Sequence, residues 1–234
     1  MNTKKLLLGI FLLISFAVVL IIIFMPIFGN GRNGLQFSDD FFNSLAKGSS
    51  NFMEGMRHEV AQPMVGTPFA VAISLDNPDQ AKMAEALFTQ AGAQVEVAGQ
   101  KLKINGDLGK VLLKAVDDAE ASFHNQGEKL QAAYNFSARD ALKTWWFSLK
   151  KVADALTKQK AFKPARAIGE IQERALEPGY NFYGIIPAKV RDHAALLTFM
   201  LVFYVVYTLW YGIGIYMVCE GLGLGMVKGA KQEV

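Results

Sequence analysis

Two uninterrupted apolar runs dominate the alternation of hydrophobic and polar positions along this chain. Leu6 to Phe28 holds 23 residues without a charge, and Ala194 to Cys219 holds 26 more. A helix rises about 1.5 Å per residue, so each run is long enough to cross the ~30 Å hydrocarbon layer of a bilayer. A buried core helix rarely needs that length without a single ionisable group. The expectation is a transmembrane helix at residues 6–28 and a second at 194–219. A signal peptide would also open on basic residues such as Lys4 and Lys5. Its apolar region, however, runs only roughly 7–15 residues, so the first run reads as an uncleaved anchor.

Between the runs, residues 29–193 carry the mixed pattern of a folded α+β domain. Gly29 to Gly34 reads as an exit linker. Ser38 to about Gln62 has helical spacing (Phe37, Phe41, Leu45, Phe52, Met53, Met56), broken at Gly48-Ser49-Ser50, with Ser38 as its cap. Pro68 to Leu75 reads as a buried strand. Asn77-Pro78 is a cap followed by a first-position proline, and Ala81, Ala84, Leu87 and Phe88 continue the helix to Gly92. Val95 and Val97, then Leu102 and Ile104, alternate with polar residues on either side of Gly99, the signature of a β-hairpin. Asn105-Gly106-Asp107 opens a helix expected to run past Phe123 to Tyr134. A further helix is expected from Ser137 to about Gln159, and another from Pro164 to Glu177-Pro178-Gly179. The order β-α-β-β-α followed by helices predicts a mostly helical domain with a small three-stranded sheet.

Composition agrees with this division. The charged share is 19%, below the roughly 25% of soluble domains, because the two apolar runs carry none. Lys4 and Lys5 precede the first run and only Arg32 follows it closely. By the positive-inside rule, residues 1–5 and the tail 220–234 are then cytoplasmic, with Lys228 and Lys231 in agreement. Lys189 and Arg191 lie on the opposite side of the second run and weaken that signal. This topology makes residues 29–193 periplasmic or extracellular. The lone cysteine, Cys219, permits neither an intrachain disulfide nor a cysteine-based metal site.

Charge within the domain is uneven. Leu35 to Glu128 has 7 basic and 13 acidic residues, whereas Lys129 to Arg166 has 9 basic and 2 acidic. Lys143, Lys150, Lys151 and Lys158 are candidates for contact with an anionic surface; the alternative is a solvated helix face. Trp145 and Trp146, about 100° apart on a helix, belong either to the core or to an interface. In the second apolar run Tyr204, Tyr207 and Tyr211 share a face by spacing. With Gly212 and Gly214 they form the candidate intramembrane partner face. Gly221, Gly225 and Gly229 repeat at the four-residue spacing that permits close helix approach.

Motifs that carry chemistry fall short. Gly29 to Gly34 matches G-x-G-x-x-G, but no strand precedes it. His58-Glu59-Val60-Ala61-Gln62 lacks the second histidine of a zinc helix. Gly106 to Lys110 lacks phosphate-loop spacing. Asp117, Asp118 and Glu120 point different ways from a helix and read as a solvated face. We therefore expect no catalysis, no cofactor, no metal and no nucleic acid. The expected role is a non-catalytic inner-membrane scaffold, accessory or assembly subunit, with the bilayer and other membrane subunits, or itself, as partners. The alternative is a ligand- or peptide-binding module that accepts a strand at the edge of its sheet. The 15 residues after Cys219 are too few for a signalling output domain.

Overall fold

The computed structural model describes residues 2–224. Lys228, Lys231, Gly225 and Gly229 lie outside the described residues. Along the chain come α1 (Thr3–Phe24), α2 (Gly34–Ser49), α3 (Met53–Gly55), a π-turn (Met56–Ala61), a 3-10 turn (Gln62–Met64) and β1 (Pro68–Ser74). There follow α4 (Pro78–Gln90), β2 (Gln94–Ala98), β3 (Lys101–Asp107), α5 (Leu108–Phe123), α6 (Gly127–Tyr134) and α7 (Ala138–Lys158). The order ends with α8 (Phe162–Ile171), a second π-turn (Gln172–Leu176), α9 (Glu177–Asn181), a 3-10 turn (Val190–His193) and α10 (Ala194–Leu222). The fold is α+β and mostly helical. It divides into two compact units, Met1–Leu45 with Ala188–Val234, and Ala46–Pro187.

Two helices, Thr3–Phe24 and Val190–Leu222, are long and apolar enough to cross a membrane. The first is shifted from the expected 6–28. Asn2 caps it, its Oδ1 accepting from Lys5 N. It stops at Phe24 because Met25, the residue before Pro26, is extended. The second outlasts Cys219 and closes on Gly223, whose φ is 81°.

In the other unit the sheet order is β1-β3-β2, all antiparallel. Register places Ala72 opposite Lys103, and Lys103 opposite Glu96. Alternation sends Phe69, Val71, Ile73, Leu102 and Ile104 into the core. There they join Leu87 and Phe88 of α4, Val111, Leu112 and Val116 of α5, and Trp145, Leu149 and Val152 of α7. The opposite face keeps Ala70, Ala72, Lys101, Lys103 and Glu96 in solvent, as antiparallel sheets allow.

Several expected boundaries change, each for a local reason. Helix α2 starts at Gly34, capped by Asn33: its Oδ1 accepts from Gln36 N at 2.8 Å while Gln36 Oε1 accepts from Asn33 N at 3.0 Å. This reciprocal box displaces Ser38, whose Oγ donates to the Gly34 carbonyl inside the helix. The helix expected over 107–134 is two helices. Asn125 adopts φ 60° between them, a conformation asparagine tolerates. Pro164 sits third in α8 rather than first. Pro178 does not end the helix, since a π-turn precedes it and the chain stays helical to Asn181.

Candidate functional site

In the unit built from the chain's two ends, α1 and α10 run antiparallel at very short range. A Cβ on Gly9 would fall 2.6 Å from Val218 N and 2.9 Å from the Gly214 carbonyl; one on Gly221 would fall 2.6 Å from Leu6 N. Only absent side chains allow backbones to come this near. Polar groups close the seam. Asn2 N–H donates to the Gly221 carbonyl at 2.8 Å. Tyr207 O–H donates to Phe16 O and Trp210 Nε1–H to Leu12 O, both at 3.1 Å. Lys5 and Glu220 form an ion pair at one end. Phe11, Ile14, Ile21, Val202, Val205 and Leu209 point outward.

The five residues read as one partner face are therefore divided. Gly214 packs on Leu13 of α1. Tyr207 stacks on Phe16 with ring centroids 4.2 Å apart, and Tyr211 tilts against the same ring at 5.0 Å. Tyr204 faces outward, 69% exposed. Gly212 has nothing within 4 Å of a built Cβ. Equal angular spacing could not show that α1 would occupy part of this face.

In the sheet-containing unit, α7 carries the charged candidates. Lys143, Lys150, Lys151 and Lys158 are all exposed, and none is ion-paired among the described residues. Helical spacing sets them on the side opposite Trp145, Leu149 and Val152. The two adjacent tryptophans part company. Trp145 is fully buried, edge-on to Phe88 at 5.2 Å. Trp146 lies at the boundary, and its Nε1–H donates to Glu177 Oε1 at 3.1 Å. The Trp146 carbonyl accepts from Gln172 Nε2 at 2.7 Å, so a residue of the second π-turn fixes this part of α7. Leu142, Lys143, Trp146, Phe147, Leu176 and Tyr180 line a shallow groove of about 340 Å³. Lys150 Nζ sits 5.2 Å above the Trp146 ring. The Trp146-Phe147 pair marks this groove in the sequence; Tyr180 joins it only through the tertiary fold.

Two buried charged groups escaped the sequence reading. Asp118, expected on a solvated face, is 3% exposed. Its oxygens accept from Tyr134 O–H at 2.5 Å, Trp145 Nε1–H at 2.8 Å and Lys114 Nζ at 2.7 Å. Its neighbours Asp117 and Glu120 both hold Arg57 of the first π-turn. Burial, then the adjacent Asp118 charge, push the Tyr134 hydroxyl pKa well above its ordinary value. Lys47 is 2% exposed. Its ammonium donates to the carbonyls of Phe182 (2.9 Å) and Ile185 (2.6 Å) and to Asn125 Oδ1 (3.2 Å). Burial lowers its pKa.

Three donors hold the carboxylate of Asp118. His124 lines the same surface hollow as Asp118, and neither it nor His58 makes a side-chain hydrogen bond among the described residues. No group of three His, Cys, Asp or Glu side chains is placed to hold a metal among the described residues. Comparison with protein-family models, with characterised proteins and with solved structures finds no match to this chain. The functional reading rests on the geometry alone.

Proposed function

We propose that the protein is a non-catalytic subunit of a membrane assembly, anchored by α1 and α10 as a transmembrane hairpin. Both termini then lie in the cytoplasm and the α+β domain on the far side of the membrane. The observation that carries this reading is Tyr204. It lies near the middle of the second apolar run, is 69% exposed, and its hydroxyl has no partner among the described residues. A hydroxyl in hydrocarbon gains from an acceptor on another helix. Tyr207, one turn on, already has its acceptor within the hairpin.

The outward apolar side chains of both helices support membrane insertion. The seam supports two spans that return the chain to the side it left, since it joins Lys5 to Glu220. Tagged full-length protein purified in mild detergent tests the partner reading. Tyr204→Phe and Tyr204→Leu should reduce recovery of co-purifying membrane proteins, or of a second copy of the chain, without changing the melting of the protein itself. Unchanged recovery in both variants refutes it.

A further inference from the structure

We infer that the exposed side of α7 is a docking surface for anionic phospholipid headgroups at a bilayer surface. This deepens the membrane reading above and rests on it.

The surface has three parts. Lys143, Lys150, Lys151 and Lys158 are exposed along one side of a single helix. Among the described residues none is neutralised by an ion pair, although six ion pairs occur elsewhere among them. With Arg139 the helix holds five basic residues against two acidic ones, Asp140 and Asp154, which share the lysines' side by spacing, and its net charge stays positive. In the middle of the lysines stands Phe147, 41% exposed. Beside it the Trp146 ring, under the Lys150 ammonium, leads into the groove lined by Leu142, Leu176 and Tyr180.

Charge complementarity requires an anionic partner, and the side chains choose among anionic partners. All four cations are lysines, compact point charges on flexible stems. They suit a fluid array of phosphates better than a fixed carboxylate, for which the planar fork of arginine is the better match. Trp and Phe interleaved with lysine are the composition of a membrane-surface face, with rings at headgroup level and ammonium groups on the phosphates. The groove is shallow and open; Glu177 and Asn181 complete its lining, with Glu177 taken up by the Trp146 Nε1–H. A folded acidic protein would have to cover the protruding Phe147 with a matching hollow; a bilayer deforms around it.

The test uses the full chain reconstituted into phosphatidylcholine vesicles with or without phosphatidylglycerol. With Cys219→Ser as background, an environment-sensitive fluorophore is placed by Asp154→Cys on α7, or by Ala72→Cys on the open sheet face. The α7 probe should shift to the blue only on phosphatidylglycerol vesicles. High salt should reverse the shift, and replacing the four lysines by glutamine should cut it by about fivefold or more. Phe147→Ser should shrink it while its salt dependence stays. The sheet-face probe should not respond.

Equal emission on both lipids overturns the inference, as does a shift that survives the lysine substitutions. A response to soluble polyglutamate but not to lipid also overturns it, in favour of an acidic protein partner. The salt titration needs no substitution on α7 beyond the probe, so misfolding of the four-lysine variant leaves the inference testable. A chain that fails to float with vesicles after an alkaline wash sinks the membrane anchoring itself. One that floats but ignores lipid charge sinks this inference alone.

Discussion

Trp145 Nε1–H and Asp118 Oδ2 meet at 2.8 Å in the core, joining α7 to α5. The same carboxylate takes Tyr134 O–H from α6 and Lys114 Nζ from its own helix. Three elements thus converge on one buried anion. Removing it orphans two buried donors at once, each of which costs about 1–3 kcal/mol when unsatisfied. Asp118→Ala should therefore destabilise the protein by about 3 kcal/mol or more. Asp118→Asn, which keeps one acceptor oxygen, should cost less. Thermal unfolding of the full chain in mild detergent, read by near-ultraviolet circular dichroism of the tryptophans, measures both. A loss below about 1 kcal/mol for the alanine variant contradicts the hub.

The same cluster gives a pH dependence whose sign follows from Tyr134. Burial and the Asp118 charge raise its pKa above the ordinary 10.0. Once pH passes that ordinary value, the unfolded chain has released a proton that the folded chain retains, so folding binds a proton and stability falls as pH rises. Below pH 10 this contribution is fully present. Tyr134→Phe should be less stable than the parent by about 1–2 kcal/mol at neutral pH, and the gap should close as pH climbs beyond about 10. Paired melts from neutral to alkaline pH check this; a constant gap excludes a raised Tyr134 pKa.

These two cases mark what the sequence shows and what it hides. Alternation at Val95, Val97, Leu102 and Ile104 was enough to place the β2-β3 hairpin, because a strand's two faces follow from its own residues. The apolar runs likewise declare two candidate spans by length alone. Asp118 was misread because helical spacing says which residues share a face, not whether that face meets solvent or another helix. The break at Asn125 has the same origin. Its left-handed turn is held by partners distant in sequence, Lys47, Gly184 and Ile185. On α10, periodicity grouped Tyr204 with Tyr207. It could not show that α1 covers one and leaves the other bare.

Gly109 should be irreplaceable. It is buried in the first turn of α5, and a Cβ there would run into the backbone of Met64 and Val65. Neither neighbour can turn aside as a side chain could, and overpacking that shifts backbone costs about 1–3 kcal/mol or more. Gly109→Ala should lose at least that much stability in thermal melts, whereas Gly169→Ala, with nothing near its Cβ, should be neutral or slightly stabilising because alanine favours a helix.

Lys47 fastens the segment 182–185 by its backbone. Replacing it by methionine keeps the stem but removes one donor from each of the Phe182 and Ile185 carbonyls, which keep the Ile185 N–H and Asn125 Nδ2 respectively. Removing the ammonium also removes the cost of burying its charge, so the net loss should be modest, about 1–2 kcal/mol. The local effect should be larger than the global one. Amide hydrogen exchange at Gly184, whose N–H is held by Asn125 Oδ1 at 2.7 Å, should accelerate in Lys47→Met more than exchange in the β-sheet. Uniform acceleration across the unit would mean that the lysine supports the whole core rather than this strap.

Gly9 and Gly212 separate the hairpin from the face it presents. A side chain on Gly9 collides with Val218 N and the Gly214 carbonyl, whereas one on Gly212 meets nothing within 4 Å. Gly9→Leu should therefore part α1 from α10 and break the bonds from Tyr207 and Trp210 to the Phe16 and Leu12 carbonyls. Gly212→Leu should leave that seam intact. Disulfide trapping between cysteines introduced at Leu13 and Gly214 reads the seam directly, in a Cys219→Ser background. Trapping should fall sharply with Gly9→Leu and stay at the parental level with Gly212→Leu. The second variant then becomes a probe of the outside. If recovery of co-purifying proteins drops while trapping is unchanged, the partner lies on the Gly212 side of α10. If recovery holds, the partner face is confined to the side bearing Tyr204. Equal trapping in all three proteins would refute the packing of α1 against α10 and, with it, the hairpin on which the anchoring proposal depends.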